Sequence, residues 1–75
     1  MSSVTEYIDV PEGCTAAGVT RAAVVWEKHT PRLWAYVIHM EDGQELRSAG
    51  GSTSKAKAAA LAWRRMLRLR AEMLK

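Results

Sequence analysis

The sequence of 75 residues predicts an α+β fold of two layers, an antiparallel sheet with one long C-terminal helix packed on one face. Three observations carry that prediction. Residues 33–41 put Trp34, Tyr36, Ile38 and Met40 on one side of a strand and Leu33, Ala35, Val37 and His39 on the other. Asp42-Gly43 follows, a pair that favours a tight hairpin because a type I′ turn needs positive φ at both central residues. From residue 55 onward no Gly or Pro occurs, and nearly every residue is a good helix former.

The elements follow in order. Residues 4–10 alternate β-formers with polar residues and read as an edge strand or an ordered arm, ended by Pro11-Glu12-Gly13. Residues 14–18 are small and read as a loop. Residues 20–28 read as a strand centred on Val24, Val25 and Trp26, and Pro31 delays the next one. Residues 33–41 are apolar on both faces, which places that strand centrally. Residues 44–49 return, and Gly50-Gly51 breaks away toward a helix. Ser52, Thr53 or Ser54 can cap it by accepting an orphan backbone N–H. The expected organisation is an arm or edge strand over 1–18 and a β-β-β-α domain over 19–75. The sheet has three strands, or four if the first segment joins it.

Winding the helix at about 100° per residue sorts its side chains. Ala56, Ala59, Ala60, Trp63, Leu67 and Leu74 share one face. A second apolar ridge holds Ala58, Ala62, Leu69 and Met73. Lys57, Arg64, Arg68 and Lys75 form a basic face with Arg65 at its border. A helix of about 21 residues reaches roughly 31 Å, longer than strands of about seven residues at roughly 23 Å. Its end is therefore expected to overhang the sheet and to offer Leu69, Arg70, Met73 and Leu74 to a second copy or another protein.

Charge is unevenly placed. The net charge is +3, yet residues 55–75 hold seven Lys and Arg against one Glu, and residues 1–12 hold three acids and no base. Such a helix favours nucleic acid, an acidic protein or an anionic surface. Acids are nearly absent from it, so few i,i+4 partners can neutralise the row. One Cys allows no internal disulfide, which with an N-terminus lacking signal-peptide character points to a reducing, cytoplasmic location. No apolar run is long enough to span a membrane.

Enzyme chemistry finds little support. Six residues separate Cys14 from Arg21 where a phosphatase loop has five, and no helix follows. His29 and His39 are the only histidines, too few for a metal site at recognisable spacing. No nucleophile triad or phosphate-binding Gly-rich motif is present. Gly50-Gly51-Ser52 before a helix can present free N–H groups to an anion, but a lone Gly-Gly is weak evidence and a plain turn and cap is the favoured reading. No enzyme activity, cofactor or metal is expected.

Two families share features with the chain. His29, Pro31, Gly43, Gly50, Gly51, Ser54, Lys55 and Ala58 resemble the C-terminal part of double-stranded RNA-binding domains, with Ala56 and Ala59 where that helix carries lysines. Trp34, Asp42-Gly43, Thr53 and Trp63 resemble the arm-type DNA-binding domains of phage and transposon integrases, which have three strands and one helix. That resemblance implies a sheet entering the major groove, with Arg21, Arg32, Trp34 and Arg47 in contact.

The sequence thus predicts a small non-catalytic nucleic-acid-binding protein, DNA before RNA. Lys55, Lys57, Arg64, Arg65 and Arg68 are the candidate phosphate contacts and the sheet residues the base readers. The alternative is a phage-type protein-interaction or inhibitor module, or an obligate homodimer, using Leu69, Met73 and Arg70.

Overall fold

The computed structural model describes residues 3–27 and 33–74. Four strands, β1 (Ser3–Ile8), β2 (Val19–Glu27), β3 (Trp34–Met40) and β4 (Glu45–Arg47), precede one helix, α1 (Lys55–Met73). The strands form a single antiparallel meander in the order β1-β2-β3-β4. The N-terminal segment is therefore a fourth strand at the sheet edge.

Register explains which side is apolar. Ile8, Ala22, Ile38 and Leu46 stand opposite one another across all four strands and face α1. Tyr7, Ala23, Val37 and Arg47 form the neighbouring row, which side-chain alternation turns to the other face. The pairing of β2 with β3 shifts register between Val19 and Arg21. Strict alternation from Ala22 would send Thr20 inward; the irregularity lets Val19 take that place, and it is buried. Thr20 instead donates its hydroxyl to the His39 carbonyl at 3.0 Å.

The hairpin differs from the expected type I′ turn. Within the turn only Gly43 has positive φ, at 91°, and Asp42 does not. Gly43 N–H donates to the Met40 carbonyl at 3.0 Å, and Met40 N–H to the Gln44 carbonyl at 2.8 Å. This is a three-residue loop, a tight turn followed by a left-handed glycine. Asp42 stabilises it through its carboxylate, which accepts from Gln44 N–H at 2.9 Å.

Ser54 caps α1, its Oγ accepting from Lys57 N–H at 3.2 Å. The ridge that meets the sheet is Ala58, Ala62 and Met66, with Leu69 half-buried beside it. Ala56, Ala60 and Trp63, expected on the wide apolar arc, lie outside that contact and are exposed. Ala22, Ala58 and Ala62 are fully buried, and such small side chains let the helix sit close to the sheet; Trp63 in their place would hold it away.

The expected overhang is also met from within the chain. The β1–β2 connection, with a 3₁₀ turn at Thr15–Ala17, folds back over the far half of α1. The Cys14 thiol is buried and donates to the Met66 carbonyl at 3.3 Å. Arg70 Nη1 donates to the Glu12 carbonyl. Leu69 and Arg70 thus serve the domain's own packing, while Met73 and Leu74 stay exposed.

Candidate anion-binding cleft

The edge of the sheet beside α1 is interrupted. β4 ends at Arg47, and Ser48 holds the strand end: its N–H donates to the Tyr36 carbonyl at 3.1 Å, and its Oγ accepts from Tyr36 N–H at 3.3 Å. Pairing resumes at Ser52, which exchanges two backbone hydrogen bonds with Trp34 at 2.6 and 2.8 Å. Between these anchors Ala49, Gly50 and Gly51 arch outward. Gly51 is required by proximity: a Cβ there would lie 2.5 Å from the Leu33 Cβ.

The arch and α1 enclose an open cleft of about 420 Å³. One wall is residues 48–52, with two serines, two glycines and their backbone. The other is Leu61, Arg64, Arg65 and Arg68. Tyr36 lines the cleft between them and accepts from Arg65 Nη1 through its hydroxyl at 3.3 Å. Arg65 is half-buried and so held; Arg64 and Arg68 are exposed and make no ion pair among the described residues. No carboxylate lines the cleft. Three guanidinium groups therefore share one concavity without a counter-charge, and each offers planar donors suited to phosphate oxygens.

The remaining cations are differently disposed. Lys57 is exposed and extends the row toward the helix start. Lys55 Nζ lies 2.8 Å from the Glu6 carboxylate and 5.8 Å from the centre of the Trp34 ring, so its charge is already answered. Arg47 pairs with Glu45 at 2.9 Å, and His39 lies 3.4 Å from the same carboxylate. Arg21 stacks over the Tyr7 ring at 5.1 Å. Arg32, His29 and Pro31 lie outside the described residues, as does Lys75.

The sheet face away from the helix carries a shallow groove of about 260 Å³ over Ala23, Val25 and Val37, bordered by Thr5, Tyr7, His39, Glu45 and Arg47. Trp34 is not on it. Trp34 packs against the core on the helix side, its ring centre 6.5 Å from that of Trp26. A base-reading sheet would keep Arg21 as its one cation free of a carboxylate among the described residues.

Among the described residues, no group of three or more His, Cys, Asp or Glu side chains is placed to hold a metal ion. No described helix is long and apolar enough to cross a membrane. Comparison with protein-family models, with curated proteins and with solved structures finds no match to this chain.

The cleft joins residues that the sequence offered separately: the basic row and the Gly50-Gly51-Ser52 turn. Tyr36 was legible only as a strand residue. Its alternation set it on one face with Trp34 and Ile38 without saying which face meets the helix, and nothing local said that its hydroxyl would reach Arg65.

Proposed function

We propose that this protein is a non-catalytic nucleic-acid-binding protein that takes backbone phosphates into the cleft between α1 and the arch of residues 48–52. The observation that supports this reading is the convergence of Arg64, Arg65 and Arg68 on one concavity free of carboxylates. Arg65, braced by Tyr36, presents a fixed fork; Arg64 and Arg68 adapt around it. The glycine arch has no side chains at Gly50 and Gly51, two of its three positions, so a phosphate can approach its backbone closely. Lys57 continues the charge along the helix for a neighbouring phosphate. DNA is the first ligand to test, following the integrase-like plan of strands and helix. The contact nevertheless falls on the helix and the sheet edge, because Arg47 is neutralised and Trp34 faces inward.

Binding of this kind releases counterions, so affinity falls as salt rises. Titration of a labelled mixed-sequence DNA at several salt concentrations measures it. Arg65→Ala with Arg68→Ala should weaken binding and lower the slope of log affinity against log salt by about 2. Arg47→Ala, on the other face, should leave both unchanged. The absence of any salt-sensitive complex with DNA or RNA, or an unchanged slope in the double variant, would remove this reading.

A further inference from the structure

The helix carries two apolar rows, and the domain uses one. Ala58, Ala62 and Met66 are consumed by the sheet. The other row, Ala56, Ala60, Trp63, Leu67, Ala71 and Leu74, lies within an arc of about 80° on the far side, at 100° per residue. Trp63 is 40% and Leu74 75% exposed; the three alanines are exposed and Leu67 is half-buried. Steps of four, three, four, four and three residues run along it, a mean of 3.6, so the row stays on one side of the helix for its whole length. Alanines at 56, 60 and 71 leave room for close approach, and Trp63, Leu67 and Leu74 supply the projecting side chains.

Charge selects the occupant. Lys57 and Arg64 each directly follow a residue of this row and so border it along one edge, with Arg68 beyond. The helix's single acid, Glu72, lies on that same flank one turn past Arg68, about 100° round from the row's border and so too far to line it. Along the other edge stand half-buried Ala59 and exposed Met73, with Met66 buried beneath them and Arg70 turned to the Glu12 carbonyl. A second copy placed antiparallel would set Lys57 and Arg64 against themselves. Placed parallel, it would offer them alanine and methionine. Neither arrangement supplies an acid, and like charges across a contact disfavour it.

We propose that the outward side of α1 is a docking surface for an amphipathic helix of another protein, apolar at heptad spacing and bearing Asp or Glu along the edge that meets Lys57 and Arg64. The surface does not rest on phosphate binding in the cleft. Arg64 is common to the two, and Lys57 serves a phosphate beside the cleft in one and the acidic edge in the other, while Arg65 and Arg68 belong to the cleft.

The test titrates the full chain with a helical peptide of about three heptads, Leu at the apolar positions and Glu at every flanking one, which keeps the peptide from pairing with itself. A peptide with Lys at the flanks is the control. The Glu peptide should bind at least about tenfold more tightly than the Lys peptide. Ala60→Glu and Leu67→Glu should each cut that affinity by about tenfold or more, with urea midpoints showing that the fold persists. Arg65→Ala with Arg68→Ala should leave peptide binding intact even where it abolishes DNA binding. Equal affinity for both peptides, or none for either, would overturn the proposal. So would indifference to Ala60→Glu, a dimer in sedimentation that Ala60→Glu dissociates, or capture by anionic phospholipid vesicles in preference to the Glu peptide.

Discussion

Gly51 and Gly50 are adjacent, exposed and equally flexible in principle, yet the structure gives them different burdens. A methyl group at Gly51 would collide with the Leu33 Cβ, while nothing lies within 4 Å of one at Gly50. Gly51→Ala must therefore displace the arch or loosen its pairing with Trp34, at a cost of about 1–3 kcal/mol. Gly50→Ala should stay within about 0.5 kcal/mol, as surface changes usually do. Urea unfolding of both variants measures the contrast, and equal effects would mean that the arch does not press on Leu33. Other residues show how neighbours decide a cation's use. Lys55 is occupied by Glu6 and Arg47 by Glu45, whereas Arg68, two turns beyond Leu61 on the same helix, makes no ion pair among the described residues. Composition treats all three alike; only the fold separates them.

Helix α1 serves two surfaces with one sequence. Its inner ridge is anchored by Met66, fully buried among Val19, Ala22 and Ile38 and capped by the Cys14 thiol. Met66→Ala should cost about 2–5 kcal/mol, since the cavity cannot collapse between a helix and a paired sheet. Met73→Ala, at an exposed position, should cost under about 0.5 kcal/mol. Thermal or urea denaturation of the pair checks the assignment of the inner face, and a reversal would rotate the helix. That assignment was the least legible part of the fold. Periodicity marks both ridges as apolar and cannot rank them, because the choice depends on how near the sheet allows the helix to come. The strands were more readable, since alternation in period two fixes both their existence and their faces. β3 declared itself central by being apolar on both sides. β1 did not declare itself, because an edge strand with Glu6 and Tyr7 exposed reads the same as a loose arm. The turn at Asp42-Gly43 was readable as a turn and misread as to type, because the Asp42 side chain bonds Gln44 and φ stays negative there.

At the scale of the molecule, every strand pairs with its neighbour in sequence, so the order across the open sheet is the order along the chain. Assembling the cleft needs something less local. Tyr36, on the third strand, must meet Arg65, 29 positions later. No window of sequence contains that encounter, which is why the basic row was visible beforehand and the concavity was not. The exposed row on α1 follows the same logic in reverse: its apolar residues were visible, and their being left outside was not. A domain of this size is stable by about 4–11 kcal/mol at most typical values per residue, so an occupant of either surface would add appreciably to its margin.

The bond from Cys14 to Met66 and that from Arg70 to Glu12 span 52 and 58 positions. They tie the first loop to the last turns of the helix, like a buckle closing a strap. Neither segment has reason to stay ordered when the other lets go, so both should exchange their amide protons as one cooperative unit. Hydrogen–deuterium exchange would then report matching opening rates for residues 14–19 and 66–70, and Arg70→Ala would quicken both together while the β2–β3 pairing keeps its protection.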